Sequence, residues 1–351
     1  MANHSSDNRH CYDIDYVQYG QPITSGVMFS SGVLGNIVAL VLLELRRKQT
    51  SPSLYRSLVT ALLTTDLLGS ISVSPIVLTS YARNTSLVGM NSDKVLCSYF
   101  GFSMTFLSLS TLAILCALAL ERYISIGHPY LYERHLSKRF SYIAIPLIYL
   151  SSILFCVVPF FGFGKYVQYC PGTWCFLEMC HDKGGTIVYI VLYASFILIM
   201  MSSTVVCNIS VIIHLVRMHR RRKGRSRAVS AHTRYHRSLS MTEEVEHLLP
   251  LAIITVVYIC CTFPLVLRVY INLSGKGDKQ LGGDLRALRL LSCHTILNPW
   301  VFIFLRPTIL RVIWRKLRKP HKSACIWGKS SQSKLTEGRS HCAAPEAGKG
   351  G

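Results

Sequence analysis

The chain has 351 residues, 50% of them hydrophobic and 16% charged, with a formal net charge of +21. Together with a mean hydropathy of +0.34, those values exclude a disordered chain and argue against a single soluble domain. The positive residues cluster after apolar runs instead of forming one face, a pattern that marks membrane topology and no nucleic-acid partner.

Residues 1–22 form a polar arm with a sequon at Asn3 and a lone Cys11, and read as lacking a cleavable signal. The first apolar run, about Ile23 to Leu45, is followed by Arg46, Arg47 and Lys48. Lysine and arginine hold a span's end in the cytosol, so the N-terminus lies outside, where Asn3 can carry a glycan and Cys11 a disulfide. Gly35-Asn36 in the middle of this span calls for close helix contact and an interhelical hydrogen bond. A second span, about Tyr55 to Tyr81, carries Asp66 in LLTTDLLG. A carboxylate at mid-membrane costs several kcal/mol unless paired, protonated or hydrated, and Asn298 is its natural partner, with water or a cation between them. Pro75 bends this helix, and Asn84-Thr85-Ser86 beyond it is a second usable sequon.

The third span begins after Cys97 and ends in Glu121-Arg122-Tyr123. Twenty-five residues separate Cys97 from Arg122, about 37 Å of helix, enough for a tilted crossing. A fourth span covers about Phe140 to Phe161. The loop after it, GFGKYVQYCPGTWCFLEMCHDKGG, is aromatic and glycine-rich, and reads as a lid over the outer opening. The fifth span, about Thr186 to Met218, ends in a loop with nine Lys or Arg residues between Arg217 and Thr242. That loop is cytosolic, whether its serines are phosphorylated or its charge is simply topogenic. The sixth span runs from about Glu243 to Leu273 with Pro264 bending it, and its first-turn acids suit the helix dipole and lie within reach of Arg122. A third usable sequon stands at Asn272.

The seventh span, about Leu285 to Phe302, carries Arg289 near its outer end and Asn298-Pro299 near its inner end. Arg289, Ser292 and Ile296 share a helical face. A guanidinium about 9 Å inside a membrane helix either faces a cavity and waits for an anion or snorkels to the outer headgroups. Residues 306–319 have Ile309, Leu310, Ile313 and Trp314 on one face and Arg311, Arg315 and Lys316 on the other, the pattern of a helix lying on the membrane surface. Residues 320–351 read as a disordered cytoplasmic tail, with Cys325 a possible lipidation site. The fold expected is thus an all-α membrane protein: a seven-transmembrane helix bundle over residues 23–305 with a short amphipathic eighth helix.

Seven spans with Asn36, Asp66, Cys97, Glu121-Arg122-Tyr123, Pro264 and Asn298-Pro299 resemble the rhodopsin-like G-protein-coupled receptors. Within them QYCPGTWCF, LRALRLLS and NPWVF resemble the prostanoid receptors. ERYISIGHPYLYERH and SMTEEVEHLL are most similar to the members that respond to prostaglandin E. The loop GFGKYVQYCPGTWCFLEM is most similar to those that respond to prostaglandin D. The resemblance implies a prostaglandin E receptor coupled to the stimulatory G protein and raising cyclic AMP, with prostaglandin D or prostacyclin as alternatives. Arrestin, receptor kinases and membrane lipid are its further partners, and it implies no cofactor.

The same resemblance makes Arg289, with Tyr81 and Thr173, the anchor of the ligand carboxylate. A guanidinium and two hydroxyls supply charge-assisted bonds to one anionic end. Ser25, Met28, Ser70, Ser74, Met104, Leu285 and Ser292 match family positions lining the pocket, or else pack between helices. Trp174 is expected as a plug of the lid. Glu121, Arg122, Tyr123, Asn298 and Pro299 match the G-protein switch, and Asp66 with Asn298 an internal polar or cation site. Two disulfides are implied, Cys97 to Cys175 and Cys11 to Cys170. Two departures stand out. The family usually has Asp where Asn298 stands, and Cys261-Thr262-Phe263-Pro264 lacks the tryptophan common outside the prostanoid group, so movement there is expected to pass through smaller side chains. An organic-anion transporter is a distant rival, against which no internal repeat is found. An enzyme lacks support: His232 and His236 have no acid partner nearby in sequence, and GFGK is too short for a phosphate loop.

Overall fold

The computed structural model describes residues 13–17, 20, 22–45, 54–91, 93–135, 138–179, 184–225, 231–274 and 281–305. The surface helix expected at 306–319 and the tail lie outside the described residues, as do Asn3 and Cys11.

Among the described residues, seven helices are long and apolar enough to cross a membrane. They are Pro22–Leu45, Leu54–Arg83, Val95–Gly127, Lys138–Val157, Gly184–Arg225, Ala231–Leu273 and Leu281–Phe304, taken below as the first to seventh spans. About 20 residues suffice for a 30 Å hydrocarbon core. The fifth and sixth, at 42 and 43 residues, therefore continue well beyond it. A short helix, Pro129–His135, follows the third span. Pro75, Pro146, Pro250, Pro264 and Pro299 all lie inside helices, where each removes one backbone bond and permits a bend.

The third span is the axis of the bundle, packing on the second, fourth, fifth and sixth spans and on both strands of the lid. The fourth lies at the rim. Its Ile143, Leu147, Leu150 and Leu154 are exposed at helical spacing, an apolar face suited to lipid.

The lid departs from the all-helical expectation. Strands β1 (Tyr166–Tyr169) and β2 (Trp174–Leu177) pair antiparallel, with Tyr166 opposite Leu177 and Tyr169 opposite Trp174. Cys-Pro-Gly-Thr makes the turn, with Gly172 at φ +101°, a conformation that suits glycine. A disulfide from Cys175 to Cys97 pins β2 to the outer end of the third span. Gly101 on that span lets the hairpin close down, since a Cβ there would stand 2.5 Å from the Tyr166 ring. The arm and first outer loop are sewn to the hairpin by buried hydrogen bonds. The Gln168 carboxamide accepts from Val88 N at 2.9 Å and donates to Ile14 O at 3.0 Å, and Leu87 N donates to Gly172 O at 2.9 Å. These fixed backbone and carboxamide partners are why a loop-like sequence holds one shape.

Candidate ligand site and cytosolic switch

Beneath the lid a cavity of about 90 Å³ opens between the first, second, third and seventh spans. Six residues expected at a pocket line it: Ser25, Met28, Ser70, Ser74, Met104 and Ser292. Several lining hydroxyls are already engaged. Ser70 donates to Asp66 O at 3.0 Å, Ser292 to Leu288 O at 3.4 Å, and Ser108 shares a bond with Tyr193 at 2.9 Å. A serine that bonds its own helix turns its methylene outward, so with Val73, Val77, Leu107 and Leu291 the wall suits a hydrocarbon chain. Leu285 is buried in the core and does not line this cavity. Trp174, expected as a plug, does line it, its ring edge-on to Phe100 at 5.6 Å. His294 and Ser108 line it too, although the same-face rule drawn from Arg289 missed both.

Arg289, Tyr81 and Thr173 are not in the cavity wall. Ser292 and Ile296, on the face that Arg289 shares, line the cavity, and Arg289 stands a turn further out and is exposed. Among the described residues no carboxylate pairs with it. The acid nearest in sequence, Asp284, is held by Arg268 at 2.8 Å. Tyr81 is half-buried against the Gly20 backbone, where a Cβ would come within 2.6 Å of its hydroxyl. Thr173 is fully buried at the lid turn, and its Oγ1 has no partner among the described residues.

Asp66 is buried and meets Asn298 directly, with no gap for an intervening water or cation between them. Asn298 Nδ2 donates to Oδ2 at 2.9 Å, and Thr111 donates to Oδ1 at 3.3 Å. Asn36 carries its amide across to Thr295 O at 3.1 Å. Close approach of the first and seventh spans here needs Gly35, whose Cβ would lie 3.0 Å from the Trp300 indole and 3.1 Å from Pro299.

At the cytosolic end Arg122 Nε lies 2.8 Å from Glu121, and its guanidinium sits over the Tyr55 ring at 4.0 Å. Tyr132, on the short helix, donates to Glu121 at 2.9 Å. Burial, then the Glu121 charge, pushes the Tyr132 phenol up to about 12, so it stays a donor at neutral pH. Tyr123 packs on Val211, Leu215 and Leu248 of the fifth and sixth spans. The side chains of the acids Glu243, Glu244 and Glu246, expected near Arg122, lie outside the described residues.

Cys170 is disulfide-bonded, and Cys11, its expected partner, lies outside the described residues. Asn84 is exposed at φ +50°, open to a glycan. Asn272, the third expected sequon, is 8% exposed in the last turn of the sixth span, and its amide donates to Asp284 at 3.3 Å.

A lidded seven-helix bundle with a carboxylate–amide pair at its centre and an acid–arginine pair at its inner end defines a class. The chain matches the 7 transmembrane receptor (rhodopsin family) over residues 35–302 and belongs to that family. Squid rhodopsin shares the fold, with a TM-score of 0.69 at 15% identity, covering 84% of this chain and 83% of that one. The human Prostaglandin E2 receptor EP2 subtype is 43% identical over 330 residues, 89% of this chain and 90% of its own length. The mouse Prostaglandin D2 receptor is 37% identical over 356 residues, 95% and 99% of the two chains. Within the rhodopsin family this chain is a prostanoid receptor, a multi-pass plasma-membrane protein with its N-terminus outside.

Proposed function

We propose that this receptor answers prostaglandin E and couples to the stimulatory G protein, raising cyclic AMP through adenylate cyclase. The observation that carries the reading is an apolar cavity with an unpaired arginine one turn outside it. A fatty-acid-derived messenger is apolar along its chains and anionic at one end. Its carboxylate meets Arg289, with the Tyr81 and Thr173 hydroxyls as further donors, and a chain enters the cavity lined by Met28, Ser70, Ser74 and Met104. Arg289 is free to do so because Arg268 already neutralises Asp284. The EP2-subtype relatives from human and mouse, at 43% and 45% identity, favour prostaglandin E over prostaglandin D or prostacyclin. The bound agonist shifts the bundle by its differential affinity for two states. Arg122 is then released toward the G protein, and receptor kinases and arrestin act on the same open form. Membrane lipid bathes the exposed faces.

The test is cyclic AMP in cells expressing the receptor, with the natural prostanoids competed against labelled prostaglandin E2. Arg289→Ala removes a charged partner worth about 3 kcal/mol, roughly a hundredfold in affinity, with surface expression unchanged. Retained high-affinity binding in that variant refutes the anchor. Tighter competition by prostaglandin D2 reassigns the ligand.

A further inference from the structure

We propose that His294 selects the ligand by accepting a hydrogen bond from the hydroxyl on the prostaglandin chain that does not carry the carboxylate. The inference rests on the prostaglandin reading above and concerns the other end of the same molecule. His294 is 2% exposed and lines the cavity from the seventh span. Its Nδ1 faces the carbonyl oxygen of Leu291. A carbonyl can only accept, so Nδ1 carries the proton, and in the neutral ring Nε2 is left as a bare acceptor. That Nε2 is buried with no hydrogen-bond partner among the described residues.

The ring is held from a second side by Tyr258, edge-on at 4.8 Å between centroids. Tyr258 is itself fixed by donating to Ser108 O at 2.9 Å. The orientation of the acceptor is therefore set before a ligand arrives. The neighbouring lining serines Ser70, Ser108 and Ser292 already have partners, whereas the buried Nε2 of His294 has none among the described residues.

Position along the helix fits the assignment. His294 is five residues inward of Arg289, about 7.5 Å along the axis. A ligand anchored by its carboxylate at Arg289 presents at that depth a group well removed from the anion. A buried acceptor discriminates sharply, because a ligand lacking the donor leaves it unpaired after the cavity is filled.

The experiment is competition binding on membranes carrying the full receptor, using prostaglandin E2, its 15-deoxy analogue, its 15-deoxy-15-fluoro analogue and its 11-deoxy analogue. On the wild type the 15-deoxy compound should bind about tenfold more weakly than the parent. The fluoro compound, which cannot donate, should lose as much. His294→Phe should erase both differences and leave the 11-deoxy difference as it is in the wild type. His294→Gln, which keeps an acceptor, should retain part of the discrimination. A fluoro analogue that binds like the parent overturns the proposal on the wild type alone, whether or not a variant folds, and so does a 15-deoxy penalty that survives in His294→Phe. Absence of any prostaglandin E2 binding to well-expressed wild type instead removes the reading on which the proposal stands.

Discussion

Replacing Arg268 with Met tests whether one ion pair ties the outer ends of the sixth and seventh spans. Arg268 Nε stands 2.8 Å from Asp284 Oδ1, with the two side chains 12% and 10% exposed. Asn272 adds its amide at 3.3 Å from Oδ2. Gly283 lies directly against the guanidinium, 2.6 Å from where a Cβ would stand, so the pair is enclosed as well as buried. Arg268→Met keeps the aliphatic stem and leaves the Asp284 carboxylate with an amide for company. Removing one partner of a buried pair costs about 3–5 kcal/mol, and proton uptake by the orphaned acid lowers the expected loss to about 2–3 kcal/mol. Asp284→Leu should cost less, because an orphaned arginine at a span's end can extend to the headgroups. The double variant Arg268→Met/Asp284→Leu should recover most of the Arg268→Met loss, since an apolar pair of similar volume replaces buried ions at little cost. The assay is the half-life of ligand-binding activity on heating in detergent, measured at one temperature because unfolding of such proteins is irreversible. Arg268→Met with wild-type half-life, or a double variant no better than Arg268→Met, refutes the reasoning.

Three further outcomes follow from the same geometry. Asn84→Gln should remove a glycan and raise electrophoretic mobility, whereas Asn272→Gln should leave mobility unchanged and shorten the thermal half-life by breaking the contact with Asp284. Cys97→Ser and Cys175→Ser should each open a 78-residue separation worth about 4–5 kcal/mol by loop entropy; both should lose ligand binding in radioligand assays, and the double variant should be no worse than either single. Tyr132→Phe removes a donor to the Glu121 carboxylate worth about 2 kcal/mol, so cyclic AMP without agonist should rise by up to about thirtyfold; unchanged basal signal would show that the Glu121–Arg122 pair holds without it.

The spans and the central pair were legible because membrane physics leaves few options. A run of about 20 apolar residues has to cross, and Asp66 in such a run needs a polar partner, for which Asn298 at matching depth is the natural choice. The contact of Asn272 with Asp284 was not legible for the converse reason: a three-residue sequon carries no information about a side chain on the next span. The hairpin was readable in principle. Tyr166–Tyr169 and Trp174–Leu177 are aromatic and β-rich around Cys-Pro-Gly, but strands of four residues leave only a short pattern to set against a loop. Arg289 shows the limit of the face rule. At about 100° per residue it lies roughly 60° from Ser292 around the helix, enough to place one in the cavity wall and leave the other exposed. His294 could be placed on the buried face by periodicity, yet its idle nitrogen is visible only once each neighbour's partner is known.

Tyr258 answers the missing tryptophan of the sixth span. Movement there was expected to pass through smaller side chains, but a fully buried tyrosine one turn inward of Thr262 joins the third span at Ser108 and the seventh at His294. The strength of these ties sets which end of the span can move. Its outer end is held by the charged Arg268–Asp284 pair. Further in, it is held by neutral bonds: Tyr258 to Ser108 O at 2.9 Å, and Thr255 accepting from Asn208 of the fifth span at 3.0 Å. A neutral bond contributes about 1 kcal/mol, and one to an ionised group about twice that. The second and seventh spans, by contrast, are joined through the Asp66 carboxylate itself. A ligand that gains only a few kcal/mol between two states can therefore break the inner ties of the sixth span and leave the outer one intact. A rod fixed at one end and released at the other sweeps widest at the released end. For a span of 43 residues that continues past the hydrocarbon core, the proposed activation is therefore expected to move the inner end most, beside Tyr123 and Arg122.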